Sequence, residues 1–291
     1  MTVAPRRVGL VTCRVLPEPD PDEELLVDAL RAEGLDPVLL PWDVPDPEAD
    51  DCDLCIFRSC WNAHERPDAF LAWLDARVAT IRFRNPPAVV RWSFHKRYLL
   101  ELEREGLPVV PTRLFVRGGS GAGVPDEAGW EDVVVKPAIS ASSWRTHRFP
   151  RGARSEAEAF LGALLSERDA MVQPYLPGVE AEGERAVVWI DGSATHVVRK
   201  HPRFAGAEEC VSRALPLREE EREIAERAVG LVAARFGERP LYARVDLMPD
   251  AEGRPLVSEL ELIEPSLFLG HDREALRRFV RAIVREAATD P

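Results

Sequence analysis

The sequence predicts a mixed fold, an open α/β lobe at the N-terminus followed by two α+β lobes. Three observations predict it. The opening stretch alternates apolar strands with amphipathic helices in the order β-α-β-β-α; the proline-rich segment RFRNPPAVV then breaks that order; and the rest reads as hairpins separated by helices. With 291 residues, 45% apolar and 30% charged, the chain is long enough for lobes that we place at 1–90, 91–176 and 177–291.

In chain order, RRVGLVTCRV is a β-branched strand that runs into the loop LPEPDP. PDEELLVDALRAEG follows as a helix, with Pro21 at its start, acids in the first turn and Gly34 as its stop. Leu25, Leu26, Ala29 and Leu30 share its apolar face. DPVLLPW and CDLCIFR are strands and DAFLAWLDARVA a helix. This places Arg58, Ser59 and Trp61 at the carboxyl end of a strand, where open α/β sheets present ligand-contacting loops and where they would help choose a substrate. Past the proline break, SFHKRYLLELEREG is expected to be one helix with Ser93 as its N-cap and Gly106 after its end, leading into the strand LPVVPTRLFV. Gly118–Gly129 reads as a flexible surface loop.

EDVVVKPAISASSWRTHRF is a strand carrying Lys136, a small-residue loop and a second strand, and AMVQPYL is a further strand. RAVVWIDGSATHVVRK is a hairpin turning at Asp191-Gly192. The helix REEEREIAERAVGLVAARF buries Ile224, Ala228, Leu231 and Val232. LYARVDLM and PLVSELELIE pair around PDAEGR, and a last helix from Asp272 buries Leu276, Phe279, Val280, Ile283 and Val284.

Composition excludes some function classes. A net charge of −12 argues against nucleic-acid binding, which draws its affinity from Lys and Arg on phosphates. The N-terminal apolar run is too short for a signal peptide, and no stretch approaches the length of a membrane span, so a cytoplasmic protein without a membrane partner is expected. Five scattered cysteines do not make a disulfide framework. Cys52, Cys55 and Cys60 have no second Cys/His pair at zinc spacing, so they read as small core thiols.

The chemistry lies in the charged residues of the C-terminal strands. Side chains alternate along a strand, so Arg244 and Asp246 share one face of theirs, and Glu259 and Glu261 one face of theirs. If the strands pair, three carboxylates and a guanidinium meet. Such a hard, oxygen-rich set suits Mg²⁺ or Mn²⁺ shared with phosphates, with Arg244 on phosphate oxygen; the plainer alternative is a salt-bridge cluster on a solvated face. Lys136 and the loop AISASSWRT add an anion cradle. Gln173, Pro174, Tyr175 and Leu176 offer backbone groups to a base edge, and Glu180 or Glu182 could take ribose hydroxyls. Arg185, and Arg199 or Lys200, are candidates for a substrate carboxylate or a terminal phosphate. His64, His147 and His201 form no triad or metal pattern and are assigned no chemistry.

The order HKRYLLELEREGLPVVPT, VVVKP with its small-residue loop, MVQPYLPGVE, GERAVVWIDG, ARVDL, SELELIEPS resembles the ATP-grasp superfamily over nearly the whole chain. It is most similar to the glutathione-synthetase-like branch and, in PDPDEELL, KPAISASS and ELELIEPSLFL, to the subgroup of the cycloserine-forming cyclo-ligase acting on O-ureido-serine. The resemblance implies a two-lobed ATP-grasp fold behind an N-terminal lobe, with ATP and Mg²⁺ between the lobes. It implies a cytoplasmic ligase of antibiotic biosynthesis that turns a small carboxylate into an acyl phosphate for attack by an amine, in the same molecule or a second one.

By the same resemblance Lys96 and Lys136 bind the ATP phosphates, Ser140, Ser142 and Ser143 line their loop, Gln173–Leu176 is the adenine hinge and Glu180 the ribose contact. Arg244 is the phosphate arginine and Asp246, Glu259 and Glu261 the metal ligands, with Glu261 standing where the family usually has asparagine. Arg185, Lys200 and Glu264 are the remaining catalytic candidates, Glu264 facing substrate. The loop after Lys136 is serine-rich where many relatives are glycine-rich, and a small-residue loop is expected to act as a lid. A non-catalytic nucleotide sensor or scaffold, and a kinase that releases its phosphorylated carboxylate, are the competing readings. A homodimer is compatible with all three.

Overall fold

A computed structural model describes residues 5–45, 51–120, 130–201 and 210–289. Its strands form three four-stranded sheets.

The first is parallel, in the order β2-β1-β3-β4, from β1 (Arg7–Thr12), β2 (Asp36–Pro41), β3 (Leu54–Ser59) and β4 (Phe83–Arg84). Helices α1 (Glu23–Ala32) and α2 (Pro67–Arg77) connect its strands. β1 and β3 are buried on both faces, as parallel strands covered by helices are. On α1 Leu26 and Leu30 are buried while Leu25 is exposed, so its apolar stripe is narrower than the sequence suggests. Cys52, Cys55 and Cys60 are buried thiols outside any disulfide, and the Cys55 sulfur lies only 2.7 Å from where a Cβ on Gly9 would be.

Past the proline break the expected single helix is two. α3 (Pro87–Ser93) starts at a proline, and α4 (Tyr98–Arg104) follows after a short irregular link that carries Lys96. Ser93 therefore ends a helix rather than capping one, its hydroxyl donating to Val90 O. The break lets the Lys96 amide donate to Ala138 O, which ties the link to the second sheet. That sheet is antiparallel, β5-β8-β6-β7, from β5 (Arg113–Phe115), β6 (Val133–Pro137), β7 (His147–Phe149) and β8 (Ala170–Pro174). Helix α5 (Arg154–Leu165) covers it through Ala157, Leu161, Leu164 and Leu165. Of the Gly118–Gly129 loop, 121–129 lie outside the described residues.

After a short α6 (Gly178–Glu182), the third sheet is antiparallel, β10-β9-β11-β12, from β9 (Glu184–Ile190), β10 (Ser193–Lys200), β11 (Tyr242–Pro249) and β12 (Pro255–Glu261). The hairpin turns at Asp191-Gly192, both with positive φ, 43° and 100°. The pleat divides this sheet. Val187, Trp189, Val245 and Leu247 pack on α7 (Glu219–Phe236), while Ala186, Val188, Ile190 and Tyr242 pack on α8 (Arg273–Ala288) and the first lobe. Asp272 caps α8, accepting from the amides of Glu274 and Ala275.

The first lobe is fastened to the third sheet by polar ties. The buried Asn85 amide donates to Tyr242 O and Leu262 O and accepts from Leu241 N. The Tyr242 hydroxyl lies 2.6 Å from Phe57 O and 2.8 Å from Ile263 O. Such satisfied buried groups fix one arrangement of the lobes.

Candidate active site

A cavity of about 250 Å³ opens where the three sheets converge. Its charged floor comes from the third sheet. β11 and β12 pair with Arg244 opposite Glu261 and Asp246 opposite Glu259, so the expected convergence of three carboxylates and a guanidinium is what the register produces. β10 and β9 add Lys200 opposite Glu184, and the second sheet and its link add Lys136 and Lys96.

These charges are paired. Arg244 donates to Asp246 from Nε at 2.8 Å and from Nη2 at 2.9 Å, and to Glu261 at 2.5 Å. Lys200 lies 2.5 Å from Asp246 and 2.8 Å from Glu184. Lys136 and Lys96 flank Glu259 at 3.1 and 3.4 Å. Burial drives the Glu259 pKa upward, yet Lys96, Lys136 and Lys200 hold it well below the ordinary carboxylate range. Burial and Arg244 push the Lys200 pKa down, but Asp246, Glu184 and Glu261 lift it above the usual lysine value. Glu261 is different: burial, opposed by Arg244 but reinforced by Asp246, raises it to about 7. Glu264 goes further, to about 8, through burial and then the charge of Glu261. The floor is thus fully balanced at one end and short of positive charge at the other.

The opposite walls are softer. Gln173, Pro174, Tyr175 and Leu176 line the cavity at the end of β8, with Gln173 donating to the Thr112 hydroxyl. Ser140, Ser142 and Ser143 line it after β6, and Lys96 donates to Ser140 O at 2.8 Å. Ser142, Ser143 and Arg145 hold positive φ of 49°, 56° and 51°, the region that glycine occupies without strain. This serine loop therefore adopts a backbone that glycine would adopt freely. Trp61 closes the first-lobe side, its indole donating to Glu264 O at 2.9 Å.

Several expected residues stand elsewhere. Arg185 does not reach the cavity. It follows Glu184 along the pleat, points to α7 and is ion-paired with the buried Glu221. Glu180 is also away from it, an exposed carboxylate that accepts from Arg148 at 2.8 Å and from the Tyr175 hydroxyl at 2.7 Å. Asp246 is fully buried beneath the cavity, both oxygens committed to Arg244 and Lys200, so in this state it orients two cations instead of presenting an open oxygen. Arg58 is buried against Asp22, and Ser59 donates to Thr12. Of the three first-lobe candidates, only Trp61 lines the cavity.

Sequence reasoning missed Glu184, whose position opposite Lys200 across the hairpin was the available signal. It missed Ser266, whose carbonyl takes the Arg244 guanidinium at 3.1 Å. It also dismissed His64 and His201, which both line the cavity.

Among the described residues, no three His, Cys, Asp or Glu groups are poised to hold an ion by themselves. Yet Glu259 and Glu261 face the cavity, and the raised Glu261 and Glu264 show buried negative charge exceeding its local compensation. This fits a hard ion shared with phosphate oxygens rather than a closed protein cage.

Comparison with known proteins finds relatives of this chain and of its fold. A family model described as the N-terminal domain of D-cycloserine synthetase DcsG matches residues 8–85. The cycloserine biosynthesis protein DcsG of Streptomyces lavendulae is 31% identical over 95% of this chain and 97% of its own. The crystal structure of D-cycloserine synthetase DcsG superposes with a TM-score of 0.90 at 29% identity, covering 97% of this chain and 99% of that one. The ATP-grasp ligase PsnB, solved with its minimal precursor, Mg and ADP, shares the fold at a TM-score of 0.63 and 19% identity, over 97% of both chains. Among the described residues no helix is long and apolar enough to cross a membrane.

Proposed function

The chain belongs to the DcsG family of ATP-grasp ligases, ATP-dependent enzymes that form C–N bonds, and from that premise we propose that it phosphorylates the carboxylate of a small amino-acid-like substrate and closes a C–N bond on the resulting acyl phosphate, within one molecule. The observation that carries this reading is the convergence of Lys96, Lys136, Lys200 and Arg244 on one carboxylate-lined cavity.

A carboxylate cannot expel oxide, so the reaction needs a better leaving group, and phosphoryl transfer from ATP supplies one. The protein's work is then positioning and charge. Lys96 and Lys136 would hold the phosphates and the peptide edge of Gln173–Leu176 the adenine. Arg244 and Lys200 would meet the transferred phosphoryl group. Glu259 and Glu261 would hold Mg²⁺, with Asp246 joining them as its cations turn to phosphate. A divalent cation held by them would supply positive charge to offset that of the phosphates. Cations and carboxylates that pair with each other across the cavity would each find a further partner of the right sign in phosphate and metal. Burial behind Trp61 and the serine loop excludes water from an acyl phosphate that would otherwise hydrolyse.

The test is ADP release with Mg²⁺ across a panel of amino acids and ureido acids, with products identified by mass spectrometry. A panel member that releases ADP and appears as a dehydrated, ring-closed product supports the reading. Activity surviving Asp246→Asn and Glu259→Gln together would exclude the metal assignment.

A further inference from the structure

His64 sits in a short 3-10 turn, Ala63–Glu65, and is only 7% exposed. Neither ring nitrogen makes a well-aligned hydrogen bond, and the nearest backbone acceptor is the Trp61 carbonyl, which leaves at least one ring nitrogen unsatisfied. Leaving a buried polar group unsatisfied costs about 1–3 kcal/mol, so such groups are rare unless something completes them. Several buried side-chain nitrogens share this condition, but among the described residues His64 alone of them borders the cavity.

The ring is held in place by packing. Trp144 of the serine loop meets it edge-on at 5.0 Å, and the Arg168 guanidinium lies 4.5 Å from the Trp144 ring centroid. Arg168 also donates to His64 O. Trp61, three residues earlier, reaches across to Glu264 O. The imidazole thus stands at the first-lobe wall, close enough to Lys96 to feel its charge.

We propose that His64 is a further catalytic residue, accepting the proton of the attacking nitrogen as the C–N bond closes; this rests on the acyl-phosphate reading above. In that step the nitrogen lone pair forms the C–N bond, the C–O bond to phosphate breaks with its electron pair, and the nitrogen's proton passes to the imidazole. The imidazolium then gives it to the departing phosphate, so the protein ends unchanged.

Among the other groups on the cavity wall, His201 is exposed to solvent, where water competes for a proton, and Glu259 and Glu261 are engaged by Lys96, Lys136 and Arg244. Lys96, Lys136, Lys200 and Arg244 already carry their protons in ion pairs. Glu264, at about 8, is protonated at neutral pH. The His64 ring is held neutral, with burial first and then Lys96 and Arg168 lowering its pKa to about 4 against the Trp61 carbonyl. A phosphoryl group on Lys96 cancels one of those charges and makes the ring more basic when it is needed.

The experiment uses the panel member that releases ADP. His64→Gln is expected to slow ring closure by about 10²-fold or more while leaving the substrate KM within about threefold. Trapping with hydroxylamine, a nucleophile uncharged at neutral pH, should still yield hydroxamate at close to the wild-type rate. Imidazole added to His64→Ala should restore ring closure without altering KM. Equal loss of ring closure and hydroxamate in His64→Gln, or ring closure unchanged in both variants, overturns the proposal while leaving the ligase reading intact. Wild-type protein that releases no ADP with any panel member overturns both together.

Discussion

Two aspartates among the described residues are fully buried, each beside an arginine, and their acidities move in opposite directions. Asp22, at the start of α1, has Arg58 at 3.4 Å and accepts the amides of Leu267 and Leu269 at 2.6 and 2.7 Å. Burial outweighs the single guanidinium, and its pKa is raised. Asp246, under the cavity, is also pushed up by burial, but a doubly bonded Arg244 and then Lys200 overcome it, and its pKa is lowered. Burial alone therefore does not set the sign. The number and closeness of the cations do. The difference also separates two tasks. Asp22 grips backbone and so fixes the segment Leu267–Leu269 that follows Glu264, whereas Asp246 grips side chains and so aims two cations at the cavity.

The largest effect is expected at Asp246. Asp246→Asn leaves Arg244 and Lys200 buried without their shared counter-charge, which costs about 3–5 kcal/mol, read as a lower urea midpoint. ADP release should fall by about 10²–10³-fold, since two cations lose their aim. Adding Lys200→Met should recover part of the stability and none of the activity. Recovery of both would mean that Asp246 is a structural ion-pair partner like Asp22, and the comparison would break. At Asp22 the expected effect is smaller. Asp22→Asn keeps one acceptor but removes the charge that Arg58 faces, a loss of about 1.5–3 kcal/mol. Because it acts through the wall and not through phosphate, it should raise the amino-acid KM more than the ATP KM. An equal rise in both would show that the loop does not set the substrate side.

Much of this was legible along the chain. The turn at Asp191-Gly192, the start of the last helix at Asp272 and the shared face of Arg244, Asp246, Glu259 and Glu261 follow from local rules of turn chemistry, helix starts and pleat, and the structure shows each. What was not legible depended on partners far away in sequence. Glu184 and Arg185 are neighbours of opposite sign, and only pairing with Lys200 and Glu221 decides which one enters the cavity. Asp22 reads as an acid at a helix start, though the amides it holds lie some 245 residues on. His64 lacks any sequence pattern because its neighbour Trp144 comes from the second lobe. Helix α5 is a different kind of miss. Its Ala157, Leu161, Leu164 and Leu165 are spaced for a helix and buried as one, a local signal that was present and not assigned to an element. The split of α3 from α4 falls between, since nothing around Ser93 ends a helix locally and the tie of Lys96 to Ala138 O is tertiary.

Glu264 extends the comparison to an acid with no ion pair at all among the described residues. Burial and the charge of Glu261 raise its pKa to about 8, and Lys96 and Arg244 reduce the shift without cancelling it. An acid whose folded pKa is raised binds its proton more tightly when folded. Its contribution to stability is therefore complete below the unfolded value near 4.5 and is lost as pH rises through about 8. Wild-type protein without nucleotide should show a urea midpoint that declines from pH 5 to pH 9, and Glu264→Gln, which keeps the shape and removes the titration, should flatten part of that decline. The change is expected to be the smallest of the three because the residue borders an open cavity, where solvent weakens the penalty on the charged form. A wild-type midpoint that rises across this range, or an identical slope in the variant, would show that Glu264 is already charged at neutral pH and has found a cation. It would then belong with Asp246 on the balanced floor, and the proton taken from the attacking nitrogen would have a second place to go.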